Sequence, residues 1–280
     1  MQIQALFCLI LLKKRRAEDI ISKKTAQMRE KISNMDVETT VKKRVQWIKN
    51  ILDSTGARGI VYGNSGGKDC TLVGALCKLA TDNVLGVIMP CSSASNYAGD
   101  RDDALAAAKT FGIEQTEVDL TATKETLVGA LGGNLAGEER AVHSALININ
   151  PRLRMITLYA LAQSRGYLVA GTGNLCEATV GYFTKWGDGA YDLNPIADLT
   201  VPEVYEILEY LGAPRNIIEK APSAGLYQGQ TDESELGVSY ADITAYIRGG
   251  ELDEEKRARI GEMEKSTAHK RRMPLRYGEE

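Results

Sequence analysis

None of the five cysteines, Cys8, Cys70, Cys77, Cys91 and Cys176, stands in the close pairs that a structural zinc site needs, and together they make no secreted disulfide framework. Free thiols in a reducing cytoplasm are the expectation. Charge of one sign is scarce as well: 34 basic and 37 acidic side chains are interspersed and leave a net charge of −3. Without a basic stripe there is no electrostatic footprint for a duplex, so no nucleic-acid partner is expected. The apolar run Ile3 to Leu12 has only ten residues, too few for a bilayer span, and Lys13-Lys14-Arg15-Arg16 follows it where a secretory signal would place its charges first. No membrane partner is expected. Of a weak peripheral anchor and a tail added by an upstream translation start, the second is preferred for residues 1–36.

What remains is an ordinary globular composition of 44% apolar and 25% charged residues in 280, with few aromatics. This is enough for one large α/β domain with a substantial core, expected over residues 37–280.

The most informative stretch is Gly63-Asn64-Ser65-Gly66-Gly67-Lys68-Asp69-Cys70, between the apolar run Gly59 to Tyr62 and a helical pattern from Thr71 to Leu79. A strand that turns through glycines into a helix leaves backbone amides facing one concavity at the positive end of the helix dipole. That arrangement cradles a polyphosphate, and Asp69 in the first turn is placed to hold a Mg²⁺ that bridges the phosphates. The competing structural explanation makes Ser65 and Asp69 simple N-caps and the glycines mere turn formers.

Amphipathic spacing through Val41, Val45, Ile48 and Leu52 marks an opening helix. Strand-like runs recur at Gly59 to Tyr62, Val84 to Met89, Gln115 to Leu120 and Tyr167 to Gly171, with helical patterns at Thr71 to Leu79, Asp100 to Phe111 and Arg152 to Arg165 between them. Strands alternating with helices predict a doubly wound parallel sheet with flanking helices. Ligands of such sheets sit at the carboxyl ends of the strands. The loop after Tyr62 and the loop Ala170-Gly171-Thr172-Gly173-Asn174 should therefore share one edge and one nucleotide.

Glu177 follows the second loop, and Gly181-Tyr182-Phe183-Thr184-Lys185-Trp186-Gly187-Asp188-Gly189 leads on to Asp192 and Pro195. Poor helix and poor strand, this stretch reads as an ordered loop that holds something polar. The first loop resembles the Ser-Gly-Gly-x-Asp-Ser loop of the ATP pyrophosphatases, with Cys70 in place of the last serine. With Asn150-Pro151-Arg152-Leu153-Arg154-Met155, the block Gly229 to Gly237 and His269-Lys270-Arg271, the motifs stand in the order of ammonia-dependent NAD⁺ synthetases, and the chain from about Val37 to Pro274 is similar to that family.

The resemblance implies an adenine-nucleotide alpha-hydrolase-like fold and a ligase that adenylates the nicotinate carboxylate of deamido-NAD⁺ with ATP. Pyrophosphate leaves, and ammonia then displaces AMP to give the amide of NAD⁺. It assigns ATP to Gly63, Asn64, Ser65, Gly66, Gly67, Lys68, Asp69, Cys70, Thr172 and Ser223, and Mg²⁺ to Asp69 and Glu177. Deamido-NAD⁺ falls to Arg152, Lys185, Asp192, His269 and Lys270, with Lys185 and Asp69 the most rate-critical. No side-chain nucleophile is needed, because positioning and electrostatics carry the rate. The same resemblance implies a cytoplasmic homodimer whose dinucleotide site is completed across the interface, and loops at Pro90 to Gly99 and Ala221 to Tyr240 that close over ATP. Glutamine-using relatives carry a separate amidase domain for which residues 1–36 leave no room, so ammonium is the expected nitrogen source.

By composition alone, Arg152 and Arg154 would be a solvated helix face and the tail around His269 would be frayed. His143 matches no motif and reads as a helix-start or core histidine. Val201 stands where the family has a lysine, within a helix start capped by Thr200 and Glu203. Two other classes remain open on the residues: another adenylating pyrophosphatase, or a nucleotide-binding homologue with little turnover.

Overall fold

A computed structural model describes residues 35–91, 97–220 and 232–278. The chain divides into two units, Met1–Asp36 and Val37–Glu280, and all the elements below lie in the second. Ser223 falls outside the described residues, as do 92–96 of the first expected closing loop and 221–231 of the second. Within those loops helices already begin at Tyr97 and at Asp232.

The order is α1 (Val37–Thr55), β1 (Ile60–Gly63), α2 (Lys68–Ala80), β2 (Val84–Ile88), α3 (Tyr97–Phe111), β3 (Glu114–Glu117), α4 (Thr121–Leu131), α5 (Glu139–Ile147), α6 (Ile149–Arg165) and β4 (Leu168–Ala170). Then come α7 (Leu175–Val180), α8 (Val201–Tyr210), α9 (Arg215–Glu219), α10 (Asp232–Leu236), α11 (Tyr240–Arg248) and α12 (Glu254–Ser266). The strands pair in the order β3-β2-β1-β4, all parallel. Both faces of the sheet are covered, and β2 accordingly carries five buried residues in a row. The edge strand β3 reads Glu-Gln-Thr-Glu, a polar sequence suited to an unpaired edge.

Side-chain alternation divides the strands between the two layers. Val61, Leu85, Val87 and Val169 join Leu153 and Ala162 of α6 in one core cluster. On the opposite face Tyr62 is buried against α2, where its ring lies so close to Gly74 that a methyl group would overlap it. A second cluster ties the C-terminal helices together through Cys176, Val180, Val201, Leu236, Tyr240, Ile243 and Ile260.

The expected alternation is present, with strands one or two residues shorter or shifted by one. In α1 only Val41 and Ile48 of the four spaced positions are fully buried. Seven helices went unread, α4, α5, α7, α9, α10, α11 and α12; α4 and α5 have no fully buried residue, and α7, α9 and α10 run for only five or six residues. His143 corrects the reading given above: it is exposed in the middle of α5, neither at a helix start nor in a core.

Candidate functional site

Strand order changes direction between β1 and β4, so the loops leaving their carboxyl ends part to opposite sides and open a crevice. After β1 the chain is held down by Asn64, whose side-chain amide donates to the Ala104 carbonyl at 3.1 Å and to Gln115 Oε1 at 2.9 Å while its carbonyl accepts the Gly66 amide. Gly66 has φ +74, and a methyl there would strike the backbone of α3 at Asp100 and Ala104. Gly67 stands at the N-cap of α2 and no side chain caps that helix. Ser65 and Asp69 therefore do not play the capping part of the simpler explanation. The first-turn amides of α2 remain available to an anion. Ser65 Oγ lies 3.4 Å from Cys70 Sγ, and the buried Cys70 thiol donates to the Gly67 carbonyl at 3.1 Å, so the thiol is bonded within the loop.

After β4 the loop Gly171 to Asn174 enters α7 through a capping box: Asn174 Oδ1 accepts the Glu177 amide and Glu177 Oε2 accepts the Asn174 amide at 2.9 Å. Thr172 lies in this loop, half-buried. The free amino end of the Asn174 side chain donates to Asp69 Oδ1 at 3.2 Å across a separation of 105 residues. One asparagine thus fastens both loops and brings Asp69 and Glu177 into a single carboxylate pair.

Lys68 completes this floor. Only 7% exposed, its ammonium bonds Asp69 Oδ2 at 2.7 Å and lies 5.4 Å from the centroid of the Tyr240 ring. The Tyr240 hydroxyl donates to Asp232 Oδ2 at 2.8 Å, while Asp232 Oδ1, in a residue 4% exposed, has no partner. Burial and the neighbouring Asp69 charge push Glu177 well above the usual carboxylate range, against the pull of Lys68. Burial alone would lower Lys68, but the carboxylates of Asp69 and Glu177 outweigh it and hold the ammonium charged. Among the described residues no group of three or more His, Cys, Asp or Glu is placed to hold a metal ion, so the protein offers a carboxylate pair. Two adjacent carboxylates are what a Mg²⁺ takes from a protein when phosphates and water complete its octahedron.

The residues expected to meet the dinucleotide form a second group. Lys185 Nζ donates to the His269 carbonyl at 2.7 Å, and Arg152, exposed near the start of α6, donates to the Lys185 carbonyl at 3.4 Å. Lys270 bonds the Gly181 and Phe183 carbonyls at 2.8 and 2.9 Å, and Arg271 bonds the Ala178 and Thr179 carbonyls. The tail is therefore docked on the loop that ends α7, where composition would have it frayed. In this state Lys270 has a structural task that its motif did not announce. Asp192 is bonded elsewhere, accepting the Val169 amide at 2.8 Å and the Tyr159 hydroxyl at 3.1 Å. Trp186, with φ +62 and an exposed ring 5.3 Å from Lys185 Nζ, is the one non-glycine residue with positive φ among those described.

The NAD synthase family model matches residues 40–274. This chain belongs to the NAD synthase family. It is 44% identical over 238 residues to the NH₃-dependent NAD⁺ synthetase of Carboxydothermus hydrogenoformans, covering 85% of this chain and 96% of that one. Among solved structures, an NMN synthetase from Francisella tularensis superimposes with a TM-score of 0.82 at 33% identity, over 88% of this chain and all of the other. An NH₃-dependent NAD synthetase from Campylobacter jejuni, in complex with nitrate ion, gives 0.70 at 28% identity over 86% and 98%. Within the NAD synthase fold of this chain, Val201 has its side chain 2% exposed in the cluster around Cys176, just inside the Thr200–Glu203 capping box. The departure from lysine there is thus taken up by packing.

Sequence reasoning missed Asn174, Tyr240 and Asp232. For Asn174 a signal existed, since Asn174-x-x-Glu177 before an apolar helix has the form of a capping box. For Asp232 the block Gly229 to Gly237 marked the stretch without its role, and for Tyr240 there was no signal, because their roles come from the packing of α10 and α11 under the floor.

Proposed function

We propose that this protein is an ammonia-dependent NAD⁺ synthetase that uses ATP to adenylate the nicotinate carboxylate of deamido-NAD⁺ and then forms the amide with ammonia. The observation that carries this reading is the Asn174 bridge, which joins an uncapped, glycine-rich helix N-terminus to a carboxylate pair at one strand edge. The amides of Gly63 to Cys70 take the ATP phosphates, with Thr172 and Ser223 as further ATP contacts. Asp69 and Glu177 hold Mg²⁺, which when bound neutralises charge on the pyrophosphate leaving group. Arg152, Lys185, Asp192, His269 and Lys270 hold deamido-NAD⁺, the cations countering its phosphates and steering its carboxylate towards the α-phosphorus. A cytoplasmic location belongs to this reading, supported by the unpaired thiols of Cys70, Cys77, Cys91 and Cys176.

A second reading differs in substrate alone. The NMN synthetase superimposes along its full length, and this favours nicotinate mononucleotide as an alternative acceptor on the same site. Pyrophosphate release with ammonium is expected with deamido-NAD⁺, at a kcat/KM well above that with the mononucleotide and with no turnover when glutamine is the sole nitrogen source. The reverse preference would move the assignment to the mononucleotide.

A homodimer is also proposed. No residue of helices α4 and α5 is fully buried although they carry Leu127, Val128, Leu131, Val142, Leu146 and Ile147, and Ile156 of the neighbouring α6 is 58% exposed. Sedimentation equilibrium at micromolar concentration is expected to give twice the 30.5 kDa of one chain, and Ile156→Glu to shift it towards one. A monomeric wild-type mass with full activity would remove the dimer from the proposal.

A further inference from the structure

Both oxygens of Asp69 are already engaged by the protein, Oδ1 by the Asn174 amide and Oδ2 by Lys68. Glu177 Oε2 is engaged as well, by the Asn174 backbone amide. The ammonium of Lys68 comes from the residue next to Asp69 in the chain, yet it points into the floor, bonded to that carboxylate and stacked on Tyr240. A lysine at a helix start more often runs out to solvent, because burying an ammonium without a partner is costly. Here the partners are the two carboxylates assigned to the metal.

We propose that Lys68 is a built-in counter-ion of the metal site, which occupies a cation's place beside Asp69 in the metal-free protein and gives up that place when the divalent cation arrives. This rests on the metal placement of the proposed function. Without an ammonium there, the Asp69 charge would stand beside Glu177 in a partly desolvated floor with only the Asn174 amide to offset it, which would weaken the packing of the two loops. The Lys68 ammonium at 2.7 Å pairs that charge, and Tyr240 supplies the ring face on which the lysine stem rests. When a divalent ion brings its own charge, the ammonium is no longer needed at Oδ2, and its repulsion from the ion favours a move away. Lys68 is then a positioning residue that keeps the phosphate loop folded for ATP and makes the site discriminate against weakly bound cations.

The test reads stability with and without metal. In EDTA, without nucleotide, K68M is expected to melt several degrees below wild type, and millimolar Mg²⁺ to recover most of that loss while moving wild type by about a degree or less. K68R, which keeps the charge, is expected to behave like wild type. In a K68M/D69N double variant the loss in EDTA should shrink, because the carboxylate that required the counter-ion is gone. Equal melting of K68M and wild type in EDTA, or equal Mg²⁺ shifts in the two, would overturn the counter-ion role. If K68M does not fold in EDTA, refolding is compared with and without Mg²⁺: recovery only with metal supports the role, and failure under both conditions overturns it. Ammonium-dependent turnover of deamido-NAD⁺ by the wild-type preparation is measured in parallel. Turnover without the stability differences sinks the role of Lys68 and leaves the synthetase reading intact, and the stability differences without turnover do the opposite.

Discussion

Asp69→Asn and Glu177→Gln proteins are expected to fold and to lose on the order of a hundredfold or more in kcat, equivalent to roughly 3 kcal/mol of transition-state stabilisation. Each substitution keeps the shape of the side chain and removes the negative charge that a phosphate-bound Mg²⁺ requires. At 69 the change also has a structural side: the buried Lys68 ammonium loses its charged partner, a stability loss on the order of 3 kcal/mol. At 177 the amide can still accept the Asn174 backbone N–H, so the capping box survives. Steady-state pyrophosphate release and thermal melting, measured on the same samples, separate the two effects. Turnover within a few-fold of wild type would disprove the metal assignment, and loss of activity in proportion to unfolded protein would reduce both residues to a structural role.

Gly66→Ala is expected to lower both the stability of this protein and its affinity for ATP. The residue has φ +74, which costs a side chain about 1 kcal/mol. The added methyl would also meet the Asp100 carbonyl and the Ala104 amide, which are backbone atoms of α3 and cannot rotate away. Loop or helix must shift, for a combined loss on the order of 2–3 kcal/mol of stability. Because Asn64 ties this loop to both α3 and β3, a shift at Gly66 carries the phosphate-facing amides with it. The expected signature is a KM for ATP raised at least tenfold, together with a lowered melting temperature that saturating ATP does not restore. A control at Gly67 sharpens the comparison: φ there is −89 and an added methyl would make only one close contact, Ser65 Oγ at 3.4 Å. Gly67→Ala should therefore keep wild-type stability. A Gly66→Ala protein as stable as wild type with an unchanged KM for ATP would mean that the loop is not held as described.

Much of the architecture could be read from residues that do the same thing in any context. The run Val84 to Ile88 is apolar because both faces of a parallel sheet are covered, and Gly66 and Gly67 after a strand have few other uses. Thr200-x-x-Glu203 announced its capping box, which the structure contains. The amphipathic helices at the rim were less legible. α4 and α5 have no fully buried residue, and the sequence reading passed over both of them. For the site the division runs along the same line. Asp69, Glu177, Arg152 and Lys185 were legible because each lies in a local motif, and Lys68 was read as part of the phosphate loop although its ammonium turns the other way, into the floor.

By itself the sequence determined the alternation of strands and helices, the glycine loop, the residue types of the carboxylate pair and the family. These are local quantities, set by periodicity, backbone freedom and short spacings. Only the tertiary structure decided that Asn174 joins the two loops, that Lys68 neutralises Asp69 on the ring of Tyr240, and that Lys270 and Arg271 dock the tail on the carbonyls following α7. Each of those contacts spans scores of residues, or depends on which way a side chain turns. Distance and direction are set when parallel strands bring remote loops to one edge and desolvation obliges every buried charge there to find a partner.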